Sequence, residues 1–214
     1  MAHQPKSLLK LIQDKANTDE IKACIHAGGD LFERDRKGRT PLHQAVIDGN
    51  YALVQHLINA GADVNDIDNE GHTVLHAANF LVGKQDEKIV RLLIEKGADC
   101  SIKNSKGRTA LFYMATKTIK DATELDYYRS GIKSLVDAGS DLNEKKDSDE
   151  TVLLYLYNTG KLDTQRGTIL IEMGADVSIG GGENNSTLIE HVENGDICDE
   201  KLCELIRKAA KSNK

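Results

Sequence analysis

Apolar residues along this chain fall in short runs that come in phased pairs. A first run follows a threonine, as in TPLHQAV at 40–46, TVLHAAN at 73–79, TALFYMA at 109–115 and TVLLYLY at 151–157. After a polar break a second run begins, with apolar positions three and four apart, such as Val54, Leu57 and Ile58, or Val90, Leu93 and Ile94. That spacing places them on one face of an α-helix. Each pair of runs therefore predicts a helical hairpin with one face to bury.

The punctuation between runs agrees. Thr40, Thr73 and Thr109 stand where an N-cap hydroxyl accepts from the free amides of a helix start, and Pro41 takes a first-turn position where its missing donor costs nothing. Gly61, Gly97, Gly139 and Gly174 follow the second runs, where a glycine ends a helix in the left-handed conformation. With Thr187 as a weaker fifth copy, the threonines are 33, 36, 42 and 36 residues apart. A second series keeps the same phase: INAGADVN, IEKGADCS, VDAGSDLN and IEMGADVS, opened by CIHAGGDLF at 24–32. The surplus over 33 lies between first and second helices, and is largest in TKTIKDATELDYYRSG. There Leu125, Tyr128, Ile132, Leu135 and Val136 continue one apolar stripe, which predicts a longer second helix rather than a loop.

GxTPLHxA, a second helix and GADVN at this period resemble the ankyrin repeat family. Gly38, Thr40, Pro41, Leu42, His43, Ala45, Gly49, Val54, Leu57, Gly61, Ala62, Asp63, Val64 and Asn65 fit its pattern in the first full repeat. Later copies drift, with Val74, Ala110 and Val152 in place of Pro, Phe112 and Leu154 in place of His, and Asp149 in place of Gly. The resemblance implies an all-α fold, an ankyrin-repeat solenoid of stacked helix-turn-helix units with short hairpin-like loops. On this register residues 1–214 form one domain: a capping helix pair at 5–34, repeats at 35–67, 68–103, 104–145 and 146–181, and a capping repeat at 182–211.

Composition narrows the functional classes. The formal charge of -6 lacks the basic excess that a dedicated nucleic-acid binder needs, so no nucleic acid is expected as partner. Aromatic residues make up only 4% of the chain, with no Trp, which argues against a large aromatic-walled pocket. No window approaches a membrane span, and four scattered cysteines point to a reducing, cytoplasmic or otherwise intracellular setting for a monomer. Cys198 and Cys203 with His191 lack a fourth zinc ligand, and Gly180, Gly181 and Gly182 lack the Lys and Ser/Thr of a phosphate loop. His43 and His76 hold equivalent repeat positions, where the resemblance implies structural hydrogen bonds between neighbours. No catalytic residue, metal or cofactor is expected.

Stacked repeats bury their recurring positions and vary the exposed ones, so a protein partner should be read at the hairpin tips and on the inward face of the first helices. The tips offer Arg36, Lys37 and Arg39, then His72, then Lys106 and Arg108, and the helix face offers Ile47, Phe80, Tyr113 and Tyr155. A noncatalytic adaptor, competitor or masking subunit is the expected function. Two alternatives follow from the resemblance. Asn65 and Asn143 match positions that asparaginyl hydroxylase modifies in ankyrin sequences, and the family includes viral host-range proteins and bacterial effectors delivered into host cells.

Overall fold

The computed structural model describes residues 7–78, 84–146, 149–182, 184–197 and 199–212. Twelve helices among the described residues form six successive hairpins, with no strands beyond two isolated bridges, Ile67 with Thr73 and Gly181 with Ser186. The pairs are α1 (Leu8–Gln13) with α2 (Thr18–His26), α3 (Pro41–Ile47) with α4 (Tyr51–Asn59), and α5 (Val74–Ala77) with α6 (Lys84–Glu95). They continue as α7 (Ala110–Ala115) with α8 (Ala122–Asp137), α9 (Val152–Asn158) with α10 (Thr164–Glu172), and α11 (Leu188–Glu193) with α12 (Glu200–Ser212). First helices pack on first helices, α1 on α3, α3 on α5 and α5 on α7, while α4 packs on α6, α6 on α8 and α10 on α12. The result is an all-α solenoid, as the resemblance implies, built from the hairpins that the paired periodicity predicts.

From α3 onward each first helix starts as its threonine dictates, and α1 starts on Ser7. The hydroxyls of Thr40, Thr73, Thr109, Thr151 and Thr187 all accept from the amide three residues on. The long insertion does extend a second helix: α8 has 16 residues, and Tyr128, Ile132 and Leu135 are buried on its inner face. The Tyr128 hydroxyl, deep in this layer, donates to the Ala115 carbonyl at the end of α7. Gly131 lets Met114 of α7 lie against the α8 backbone, where an added Cβ would approach its methyl carbon to 3.1 Å.

The hairpin tips are built on a local rule of their own. Oδ1 of Asp35 accepts from the amides of Lys37 and Arg39, Oδ1 of Asp68 from those of Glu70 and His72, and Oδ1 of Asn104 from those of Lys106 and Arg108. A short acceptor side chain thus closes each turn on its own backbone. Within it Gly38, Gly71 and Gly107 take positive φ, and the fourth tip puts Asp149 there, at φ 59°. Adjacent tips are then stapled backbone to backbone, the Asn69 amide donating to the Lys37 carbonyl and the Ser105 amide to the Glu70 carbonyl. Residues on the first three tips are consequently held in a fixed row.

Candidate interaction face

The buried histidines explain how one layer is joined to the next. Nδ1 of His43 accepts from the Thr40 amide, so its Nε2–H is the donor to the His72 carbonyl at 3.1 Å. His76 repeats this one layer on, accepting from Thr73 and donating to the Arg108 carbonyl at 2.9 Å. Burial lowers the pKa of both imidazoles, that of His76 to about 4, and a second proton would have to displace the amide already bound at Nδ1. In the third copy Phe112 cannot donate, and its ring instead packs against Tyr155 with centroids 5.0 Å apart.

Of the tip cations, Arg36 and Lys37 are exposed with no side-chain partner among the described residues, and Lys106 stands likewise on the third tip. Arg39 differs. Its Nη2 lies 2.6 Å from Asp35 and its Nε donates to the same carboxylate, so much of its charge is spent inside the tip. Burial works against the Asp35 charge, but Arg39 and the amides of Arg39 and Lys37 outweigh it and hold the carboxyl below its ordinary range. Arg34, which the sequence reading passed over, spans two tips by donating to Asp66 and to the carbonyls of Gly38 and Ile67.

Two side-chain clusters occupy the first-helix face. In one, Asn104 has its oxygen fixed by the tip amides, so its Nδ2 donates to Tyr113 Oη and to His72 Nε2, both at 2.9 Å. His72 therefore carries its proton on Nδ1, facing Asp68 Oδ2 at 3.3 Å, and its ring meets that of Tyr113 edge-on. Tyr113 and His72 are half-buried. In the other cluster the Arg108 guanidinium and the Lys146 ammonium both lie against the ring pair of Phe112 and Tyr155. Lys146, absent from the sequence reading, also pairs with Glu150 at 2.8 Å. Ile47 packs half-buried against the core at the end of α3, and Phe80 lies outside the described residues.

The asparagines proposed for modification are half-buried bridges. Asn65 accepts from the Asp99 amide and donates to the Gly97 carbonyl, and Asn143 makes the same pair of bonds to Asp176 and Gly174. A modifying enzyme that draws either residue into its own site must first break both bonds. Asn65→Ala is expected to lower folding stability by about 1–2 kcal/mol, the scale of two partly solvated hydrogen bonds, read from the urea midpoint.

Among the described residues no group of His, Cys, Asp and Glu is placed to hold a metal ion, and no helix is long and apolar enough to cross a membrane. A family model described as ankyrin repeats (3 copies) matches residues 8–104. No curated protein matches the chain. The family match ends just before the copy in which Phe112 replaces the histidine, although helical hairpins continue to Ser212.

Proposed function

We propose that this chain, which the ankyrin repeat family model matches over residues 8–104, is a noncatalytic adaptor, competitor or masking subunit, since ankyrin repeats in general bind other proteins. One observation carries the reading: half-buried aromatic side chains on the first-helix face, Tyr113 and Tyr155, are immobilised by contacts from neighbouring repeats, in a stack whose tips carry Arg36, Lys37 and Lys106 with no side-chain partner among the described residues. Rigid aromatic groups lose little entropy on binding and commonly form the energetic centre of an interface. The partner is a protein segment that lies along the tips and reaches inward to the tyrosines.

Crosslinking capture followed by surface plasmon resonance on the captured partner tests this. Reversing Arg36 and Lys37 to Glu is expected to slow association and reduce its salt dependence, because exposed charges steer over about 8–10 Å. Tyr113→Ala is expected to speed dissociation by about tenfold or more, the usual loss for a desolvated anchor. Matching circular dichroism and melting midpoints are required of each variant, since Tyr113 also joins two repeats. If both sets bind as the parent does, this face is not the binding site.

A further inference from the structure

Arginines in this chain usually find a carboxylate. Arg34 pairs with Asp66, Arg39 with Asp35, Arg91 with Glu87, Arg129 with Glu172 and Arg166 with Asp163. Arg108 is half-buried and pairs with none among the described residues. Its guanidinium carbon is instead 5.0 Å from the Phe112 ring centroid and 5.4 Å from that of Tyr155, and its buried Nε has no hydrogen-bond partner. Aromatic faces attract and orient a guanidinium, but they accept none of its five N–H groups in the plane of the fork. Among the described residues the planar donors of Arg108 are thus held against the rings with no acceptor.

The charge around it favours an anion. Lys146 sits 4.5 Å from the Tyr155 centroid, and Glu150 is engaged by Lys146 through one oxygen and by Asn158 through the other at 2.6 Å. Among the described residues two cations therefore share the ring pair with one carboxylate, and Lys106 adds a further exposed charge on the same tip as Arg108. A fixed guanidinium fork matches a carboxylate with two parallel hydrogen bonds, and the ordering has been completed before the ligand arrives.

We propose that Arg108 is the anchor for a carboxylate side chain, and that the partner is a peptide segment presenting an Asp or Glu there. This rests on the protein-binding reading above and adds the chemistry of its central contact. Phe112 and Tyr155 act as the platform that holds the fork. Lys106 on the same tip, and Arg36 and Lys37 on the first tip of the same stapled row, favour further acidic residues in the same segment.

A random peptide library displayed on phage and panned on the full chain tests the proposal. Selected peptides are expected to carry Asp or Glu at one shared position. Synthetic copies, followed by fluorescence anisotropy, should lose about tenfold or more in affinity on Arg108→Gln, and also on amidation of that acidic residue, with no further loss when the two changes are combined. Arg108→Lys, which keeps the charge but not the fork, should fall close to Arg108→Gln. Tyr155→Leu keeps the arginine and removes half its platform, so it should weaken the same peptides and provides the test should Arg108→Gln melt early. Peptides without an acidic preference that bind parent and Arg108→Gln equally, yet are lost with Tyr113→Ala, would overturn the anchor and leave the groove reading standing. Failure to select any peptide, or peptides indifferent to every one of these changes, would overturn both.

Discussion

Leu57→Ala is expected to destabilise the protein by about 2–5 kcal/mol, the range measured for truncating a buried leucine. Leu57 is fully buried in α4, in a layer with neighbours on both sides, α2 and α6. Its removal opens a void that backbone adjustment in a stacked array fills poorly, because a shift of α4 toward one neighbour draws it from the other. Arg39→Ala is the control. It loses an ion pair whose side chains are 25% and 13% exposed, worth about 0–1 kcal/mol at such a surface, and Asp35 keeps its two tip amides. Urea denaturation followed by circular dichroism separates the two variants. Equal midpoints would mean that the helical phase assigned to the second runs is wrong, and a split transition would show that the weakened layer uncouples the repeats on either side.

What the sequence disclosed was local and periodic. The threonine caps, the apolar stripe through Leu57 and the lengthened α8 each depend on residues within a few positions of one another, so their spacing carries the information. The fingertip turns were also local, but the acceptors Asp35, Asp68 and Asn104 sit just outside the aligned threonine segments and were not read as a series. Their closing bonds are what hold Arg36, Lys37 and Lys106 in place. Arg39 and Arg36 look alike in composition, yet only Arg39 stands four residues after Asp35, near enough to be neutralised. Least legible was the stack of Arg108 and Lys146 on Phe112 and Tyr155. Those residues come from two successive repeats and meet only through the packing of one layer on the next. The single clue was Phe112 at a histidine position, which removes the donor used by His43 and His76. Arg166 was invisible for the same reason: buried at the start of α10, it donates to the Lys161 carbonyl of its own hairpin and, across a layer boundary, to the Lys117 carbonyl.

Acid should weaken the stack at those histidine joints, in a pH window that separates them from the carboxylates. His76 is neutral in the folded protein down to about 4, chiefly because burial penalises its charge, whereas in the unfolded chain it takes up a proton near 6.5. A lowered pKa means that the unfolded state binds more protons, so stability is full above 6.5 and declines as pH falls from there toward 4. At about 1.4 kcal/mol per pH unit, the gap for His76 amounts to about 3 kcal/mol once the decline is complete. His43 is shifted in the same direction by burial and adds to the slope. Asp35, whose carboxyl lies below its ordinary 3.8, gives up its own contribution only as pH falls past that value. Urea midpoints taken from pH 7 to 4.5 should therefore fall, with a slope that steepens below 6.5 and reports proton uptake on unfolding. His43→Leu with His76→Leu is expected to cost stability at pH 7, since the carbonyls of His72 and Arg108 lose their donors, but to flatten that slope. A parent protein equally stable at pH 7 and 5, or a double variant with an unchanged slope, would place the acid-sensitive groups elsewhere and remove the histidines from the joints as the pH-responsive element.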